Sequence, residues 1–447
     1  MNTIRHLSKM TRGFSLIELL VAMAISMTLM AALASIFTQS IKTRDQIDRD
    51  GQKVEAARYS LDSMAEDIRL AGYFGNYSPP NIGSSPADWK YVSPCSVTGG
   101  SPLPGWNATT SPVQVPFAIF GYEAHGTGTL PTTTLTDCLD NYKTGTDVLV
   151  VRRASTTSVT AGGTGYVAND AYLQVSSCPD GTVDTQPFHA KATATSTDFN
   201  LNVLNCSTDA SVRKLITRIY YISNCNDCTN DLDSNAGTTG DGIPTLKVVE
   251  QAIKPTVSTT VLTVIGNLRT IAPGVDDMHI EYGIDTTCTP WVTGTAVVSG
   301  AVRYNGSYYY TAAAAGTTGA TAPTHNSASS SDGAVTWAYT GAVASCPADG
   351  SIDAWVVSNN DPRQTGATGT AVTGMRLDAS TENRWEDVMA VKLFLISRDH
   401  KTTNGHIDTK SFVAGTKTIA ATGDAFRRRM MSSTVKLINM AGRREVP

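Results

Sequence analysis

The stretch FSLIELLVAMAISMTLMAALASIF, residues 14–37, decides how the rest of this chain of 447 residues is interpreted. Glu18 is the only charged residue among its 24 residues. A helix of about 20 apolar residues crosses the roughly 30 Å hydrocarbon core of a bilayer, so the stretch predicts a membrane-spanning segment. Arg5, Lys9 and Arg12 precede it without an acidic residue. This pattern predicts a cytoplasmic N-terminus and a remainder on the far side of the membrane.

The segment from Arg12 to Met23, RGFSLIELLVAM, resembles the class III signal of type IV prepilins and type II secretion pseudopilins. The resemblance implies that a prepilin peptidase removes residues 1–13, the cytoplasmic leader, by cutting after Gly13, and that the new N-terminal residue, Phe14, is N-methylated. It also places Glu18 where these families have a carboxylate for subunit assembly. An intramembrane carboxylate costs about 2.5–3.5 kcal/mol, and pairing with the α-amino group of a neighbouring subunit would recover part of that cost. The alternative is a plain signal anchor with a stray glutamate.

Beyond the apolar stretch, apolar residues recur among charged ones at roughly the helical period. They are Ile41, Ile47, Val54, Leu61, Met64, Ile68 and Ala71. The pattern predicts that the membrane helix continues into an exported amphipathic part, residues 38–75, with the helix ending near Leu70 before Gly72 and Gly75. At 1.5 Å per residue this helix is on the order of 85 Å long. Residues 61–75, LDSMAEDIRLAGYFG, closely resemble the end of the first helix in PilW-type minor pilins.

Residues 76–447 contain short strand-like runs separated by Gly, Asn, Asp, Ser and Thr, which predicts a β-rich globular head. The runs are Val148–Arg152, Leu215–Ile222, Leu246–Ile253, Thr260–Ile265, Met278–Tyr282, Val388–Ile396 and Thr434–Ile438. Four segments resemble PilW-type minor pilins: residues 217–222, 242–247, 274–285 and 428–437. The expected fold class is therefore α+β and type IV pilin-like, with a long N-terminal helix followed by the head.

Eight cysteines follow the apolar stretch, and an even number on the exported side predicts disulfides. They are Cys95, Cys138, Cys178, Cys206, Cys225, Cys228, Cys288 and Cys346. Cys225 and Cys228 form a CxxC pair. A zinc site would need a second such pair and a redox site a βαβ frame, and neither pattern is present, so a local loop disulfide is favoured. Eight cysteines allow 105 pairings, so the sequence leaves their connectivity open.

An acidic loop offers candidate metal ligands at Asp231, Asp233, Asn235 and Asp241. Oxygen ligands at alternate positions suit calcium, but the glycine and glutamate positions of an EF-hand are not met, so a solvated turn is the alternative. No other cofactor is expected. The sequence contains no HExxH, GxSxG or P-loop pattern, so an enzyme is not expected either.

The charge balance disfavours direct nucleic-acid binding. The chain has 35 basic and 39 acidic residues, a net charge of −4. Removal of residues 1–13 takes away three basic and no acidic residues, which changes the net charge to −7. A protein that binds nucleic acid through phosphate contacts needs a surplus of positive charge instead.

Residues 288–346 have the composition of an inserted small β module. Arg303 and Asp332 are the only charged residues among these 59. Asn305-Gly306 and Asp332-Gly333 are tight-turn signals. The sequence of this segment resembles small β modules of phage tail and other surface-binding proteins. A disulfide between Cys288 and Cys346 could clamp the two ends of the module. Aromatic side chains that could stack on sugar rings, or instead form the core of the module, are Trp291, Tyr308, Tyr309, Trp337 and Tyr339.

The resemblance implies a PilW-like minor pilin, held in the bacterial inner membrane by one pass with its head in the periplasm and later built into an extracellular pilus. Such a subunit would enter the fibre near the tip, prime assembly and support adhesion, twitching motility or uptake. The implied partners are other minor and major pilins, the prepilin peptidase, the inner membrane, and a tip adhesin or surface glycan. The alternatives are a type II secretion pseudopilin and a carbohydrate-binding adhesin mounted on the pilus.

Overall fold

The structure is a computed structural model that describes most of the chain. The described residues are 15–77, 88–92, 94, 97–98, 105–110, 113–124, 139–167, 170–191, 196–229, 240–255, 261–285, 289–297, 299, 301–305, 308–342, 352, 354–358, 374–375, 385 and 388–441. The chain divides into two compact units, Met1–Val54 and Glu55–Pro447.

One helix, α1, runs from Leu16 to Leu70, which confirms the predicted long N-terminal helix and its end. Gly72 follows with a φ of +72°, a left-handed conformation that glycine adopts without strain. A Cβ at Gly72 would lie 2.9 Å from the sulfur of Met440, so a side chain would also collide there. The chain therefore leaves the helix at a position that requires glycine.

The periodic apolar residues of α1 divide into two groups. Leu61, Met64 and Ile68 are buried in the head unit, whereas Ile41 and Ile47 are more than half exposed in the N-terminal unit. The pattern thus predicted the helix, but only its C-terminal part has a protein surface to cover.

In the part of the chain that the structure describes, nearly all regular elements after α1 are strands, as the sequence predicts. The elements after α1 are β1 (Asp88–Lys90), β2 (Val97–Thr98), β3 (Gln114–Pro116), β4 (Ile119–Tyr122), β5 (Val148–Val159), β6 (Tyr172–Val175), β7 (Phe188–Lys191), a 3-10 turn (Ser196–Asp198), β8 (Val212–Ser223), β9 (Thr245–Pro255), β10 (Val261–Pro273), β11 (Val275–Ile284), β12 (Thr289–Pro290), β13 (Ala296–Val297), β14 (Val302–Asn305), β15 (Tyr308–Ala312), β16 (Gly316–Thr317), β17 (Ser329–Asp332), β18 (Val335–Ala342), β19 (Ala354–Ser358), β20 (Gly374–Met375), β21 (Val388–Arg398), β22 (Phe412–Ala414), β23 (Lys417–Ile419), β24 (Arg428–Lys436) and α2 (Ile438–Ala441). The combination of a long helix and a disulfide-containing β-rich head confirms the α+β class.

Two main sheets form the head. The first has the order β2-β10-β9-β8-β5-β4, and β6 pairs with both β7 and β8 beside this path. The second has the order β20-β19-β11-β21-β24. A single hydrophobic core joins the end of α1 to both sheets through residues such as Ile68, Phe120, Tyr220, Tyr282 and Leu393. The sheets and the last turns of α1 therefore form one folded body.

The last predicted strand ends earlier than expected. The sequence predicts a strand over Thr434–Ile438, but β24 stops at Lys436 and Ile438 begins the short helix α2. The Asn439 side chain in α2 donates hydrogen bonds to the carbonyls of Arg69 at 3.4 Å and Ala71 at 3.3 Å. The chain is therefore helical rather than extended at Ile438, and Asn439 caps carbonyl groups at the end of α1.

Strands β12–β18 lie between β11 and β19 in the chain and form sheets of their own. Strands β11 and β19 are neighbours in the second sheet, where Ile284 pairs with Ala354. The intervening segment has one sheet in the order β12-β14-β15-β18-β17, a second small sheet of β13 and β16, and a separate hydrophobic cluster. Asp332 pairs with Val335 across a two-residue turn, as the Asp-Gly signal predicts. The chain therefore leaves the second sheet and returns to a neighbouring strand after building this module.

Two disulfides lie within the described residues, Cys178–Cys206 and Cys225–Cys228. The first joins the segment after β6 to the segment before β8, and the second closes the local CxxC loop after β8. The predicted disulfide cysteines Cys95, Cys138, Cys288 and Cys346 lie outside the described residues, so the clamp between Cys288 and Cys346 stays a prediction.

Candidate functional site

The N-terminal part of α1 presents an apolar surface. Every leucine, isoleucine, valine, methionine and phenylalanine from Leu16 to Phe37 is at least half exposed. The helix is long and apolar enough to cross a membrane, and its most apolar window is 0% buried. A helix that is apolar all round needs lipid or other helices as its surroundings.

Ser15 and Glu18 together cap the start of this helix. The backbone N–H of Ser15 donates a hydrogen bond to Glu18 Oε2 at 3.0 Å, and the backbone N–H of Ile17 donates to Ser15 Oγ at 3.2 Å. This arrangement is a variant of the capping box, in which the serine hydroxyl accepts from Ile17 while the Glu18 N–H donates to the Ser15 carbonyl at 3.0 Å. The Ser-x-x-Glu spacing before an apolar run is its sequence signature, and the sequence reasoning above missed it. Within one chain, Glu18 thus already has a backbone donor as partner.

The predicted processing residues stand directly before this cap. Gly13 and Phe14 lie outside the described residues, so cleavage and methylation there stay predictions.

The other end of α1 is held to the first sheet by a buried carboxylate, Asp67. Arg153 donates to Asp67 Oδ1 from Nε at 3.1 Å and from Nη2 at 3.0 Å. Arg218 donates to Asp67 Oδ2 at 2.6 Å, and the Tyr220 hydroxyl donates to the same oxygen. Arg218 also pairs with Glu250 on β9 at 2.9 Å. One helix residue thereby contacts strands β5 and β8 of the sheet.

The charges around Asp67 favour its ionised form. Burial alone raises the pKa of this carboxyl group. Hydrogen bonds from Arg218 and Tyr220, with the positive charges of Arg218 and Arg153, outweigh burial and lower the pKa below its ordinary value. Asp67 is therefore a charged anchor between the helix and the sheet.

Among the described residues, Glu123, Asp147 and His279 form a group that could hold a metal ion, with one potential ligand atom from each lying within 4.8 Å of the others. His279 Nδ1 lies 2.9 Å from Asp147 Oδ2, and that oxygen also accepts the backbone N–H of Ile280 at 3.0 Å. Lys417 forms an ion pair with Glu123, so a protein cation already faces this cluster.

Burial is the main influence on the pKa of Glu123 in this cluster. Burial and then the negative charge of Asp147 raise the pKa of Glu123, while Lys417 and His279 oppose that shift. The three potential ligands come from the ends of β4 and β5 and from β11, far apart in the sequence. No short spacing signature could have revealed them. The cluster links the first sheet to the second.

The structure describes one of the four predicted calcium ligands. Asp231, Asp233 and Asn235 lie outside the described residues, so a calcium site stays a prediction. Asp241 is described, and its carboxylate accepts the backbone N–H groups of Asn226 at 2.9 Å and Asp227 at 3.1 Å. Asp241 therefore orders the loop between Cys225 and Cys228 directly.

The aromatic residues of the module mostly form its interior. Trp337 is fully buried, and Trp291, Tyr308 and Tyr339 pack against the same cluster. Of the two roles that the sequence left open for Trp337, its burial supports the core of the module, because a side chain without exposed surface cannot stack on a ligand. Side chains alternate between the two faces of a strand, so the sequence alone allowed either face to pack inward. The pairing register of the strands determines which face forms the core.

Tyr309 is the expected contact residue that faces away from this cluster. It lies between Tyr308 and Tyr310, both of which belong to the cluster, and successive side chains of a strand point to opposite faces. Tyr304 on β14 is its cross-strand partner and shares its face. The sequence reasoning missed Tyr304, although the alternation around the Asn305-Gly306 turn could have indicated it.

Comparison with protein families gives two matches. The prokaryotic N-terminal methylation motif matches residues 8–34, which include Gly13, Phe14 and Glu18. The family described as Type IV Pilus-assembly protein W matches residues 345–439, from before β19 to Asn439. The curated proteins contain no match to the chain. The methylation motif and the apolar helix together support membrane anchoring followed by incorporation into a pilus. Both family matches on one chain, together with a long apolar helix that leads into a β-rich head, support a PilW-like type IV pilin.

Proposed function

We propose that the protein is a minor pilin that enters a type IV pilus near its tip and helps to start fibre assembly. The observation that carries this proposal is the exposed apolar helix over residues 16–37. Before assembly, lipid would cover this surface, and in the fibre the helices of other minor and major pilins would cover it. Cleavage between Gly13 and Phe14 by the prepilin peptidase, with the head in the periplasm, belongs to the same proposal.

Glu18 would change partner during assembly. In the single chain its carboxylate accepts the backbone N–H of Ser15 at 3.0 Å. The free α-amino group of a neighbouring subunit is a charged donor, and a charge-assisted hydrogen bond is roughly twice as strong as a neutral one. An exchange of partner would therefore favour the assembled state in an apolar environment.

Glu18→Gln separates this role from capping. Glutamine also completes a capping box, so the helix start is preserved while the negative charge is lost. We expect normal amounts in the membrane but less protein in sheared pili. Asp48→Asn, which removes an exposed carboxylate farther along α1, is the matched control and should leave incorporation unchanged. Equal incorporation of Glu18→Gln and wild type would reject the assembly role.

A second function, surface binding by the module, is favoured by its separate core and by the aromatic pair on its outer face. Tyr304 and Tyr309 face each other across β14 and β15 and are partly exposed. Tyrosines on a sheet face can stack on sugar rings or anchor a protein contact. On a glycan array, the double variant Tyr304→Ala/Tyr309→Ala should lose any binding of the wild-type protein, whereas Ser329→Ala, at an exposed position of β17, should retain it. Binding that survives the double variant would exclude this face.

A further inference from the structure

Lys247 on β9 is a buried lysine with an unusual partner. It is 3% exposed, and its ammonium group donates a hydrogen bond to Cys228 Sγ at 3.2 Å. Within the described parts of the chain, no carboxylate forms an ion pair with it. A disulfide sulfur is only a weak acceptor, and a buried ammonium group is costly unless it is paired. The ammonium group therefore lies against a sulfur atom rather than in a direct ion pair.

Burial and nearby carboxylates have opposite effects on Lys247. Burial lowers the pKa of Lys247, and the negative charges of Asp140, Asp241 and Asp227 oppose this shift. The Ser223 hydroxyl also lies beside the disulfide, with its Oγ 3.9 Å from Cys225 Sγ and 3.8 Å from Cys228 Sγ.

The two cysteines of the CxxC loop differ in their exposure to solvent. Cys225 is fully buried, whereas Cys228 is partly exposed. Asp241 holds the loop through the N–H groups of Asn226 and Asp227, and these contacts do not depend on the disulfide bond. Opening of the bond would therefore leave Cys228 beside Lys247.

We propose that Cys225–Cys228 is a reversible thiol–disulfide exchange site for an external dithiol, in which Lys247 holds the reduced Cys228 as a thiolate. A lysine next to a cysteine lowers the thiol pKa and stabilises the reduced form. The partner class is a protein dithiol that carries out disulfide exchange. This inference does not rest on the assembly function proposed above.

The exchange balances as a two-electron step. A thiolate of the dithiol attacks Cys228 Sγ, the Cys225–Cys228 bond breaks, and the electron pair leaves on Cys225, which takes up a proton. The second thiolate of the dithiol then attacks its partner sulfur in the mixed disulfide. The electron pair leaves on Cys228, which remains a thiolate beside Lys247. The dithiol becomes a disulfide, one of its two protons resides on Cys225 and the other enters the solvent.

The test uses the full chain in detergent micelles, equilibrated with mixtures of reduced and oxidised dithiothreitol, then alkylated and analysed by peptide mass spectrometry. An opposite charge within about 4–6 Å shifts a pKa by about 1–3 units, so Lys247→Met should make Cys225–Cys228 at least about tenfold harder to reduce, about 30 mV. Cys178–Cys206 in the same molecule should not change. Lys214→Met, which removes a lysine that pairs with Asp170 instead, is the matched control.

A second measurement needs no variant. In the reduced wild-type protein, iodoacetamide should alkylate Cys228 with a midpoint below about pH 7.5, at least about one unit below the ordinary thiol pKa of about 8.5. A midpoint near 8.5 would overturn the proposal, whether or not the Lys247→Met protein folds. An equilibrium for Lys247→Met within twofold of wild type would also overturn it.

Discussion

Replacement of Asp67 by asparagine removes the charge that holds α1 to the head while keeping the size of the side chain. Loss of one partner from a fully buried ion pair costs about 3–5 kcal/mol, because the remaining charge is left unpaired. Arg153 and Arg218 are 11% and 20% exposed, and Arg218 keeps Glu250 at 2.9 Å. Water and Glu250 should offset part of the cost. We therefore expect Asp67→Asn to weaken the attachment of α1 by about 2–3 kcal/mol.

Hydrogen exchange of the backbone amides in residues 55–70 measures this attachment directly, because exchange reports local opening. A loss of 2–3 kcal/mol corresponds to exchange that is about 30- to 150-fold faster. Glu66→Gln removes the neighbouring, exposed carboxylate and should change the opening free energy by no more than about 0.5 kcal/mol. Exchange of Asp67→Asn within twofold of wild type, or an equal loss of protection in Glu66→Gln, would contradict the role of Asp67 as a charged anchor.

Three further predictions concern the head. Asp67 and Asp424 have pKa values below the ordinary value, that of Asp424 at about 2 through hydrogen bonds from Arg428. The stability that these two carboxylates contribute is present above the unfolded pKa of about 3.9 and is lost as the pH falls through their lower folded pKa values. The urea midpoint of unfolding should therefore fall between pH 4 and pH 2. A midpoint that stays constant over this range would contradict the prediction. Serine at both Cys178 and Cys206 should lower the free energy of unfolding by about 2–4 kcal/mol in urea titrations, and an unchanged value would show that this bridge does not stabilise the fold. Deletion of residues 289–345 should leave a folded head and assembled pili, because the flanking strands β11 and β19 already pair; a head that fails to fold would make the module part of the core.

The helix and most strands follow from the sequence because their signals are local. Residues 14–37 and the periodic positions up to Ala71 predicted α1, and Gly72 predicted its end. Runs of β-branched and aromatic residues predicted the strands. The tight-turn signal at Asp332-Gly333 predicted a hairpin of the module. Each of these features depends on neighbours in the chain.

The polar clusters could not be predicted in the same way, because they depend on how distant strands align. Asp67 meets Arg153 and Arg218 across sequence separations of 86 and 151 residues. The burial of Trp337 also depends on which face of its sheet packs inward, and alternation alone permits both faces. The pairing of Lys247 with Cys228 joins β9 to the loop after β8 and likewise has no local signature.

The central claim, that this chain is a pilin subunit incorporated into a fibre, is tested most directly by mass spectrometry of its N-terminus in purified sheared pili. We predict that the pili contain the protein with residues 1–13 removed and with N-methylated Phe14 as the first residue. A chain that is absent from pili, or that is present there with the leader still attached before Phe14, would contradict the claim.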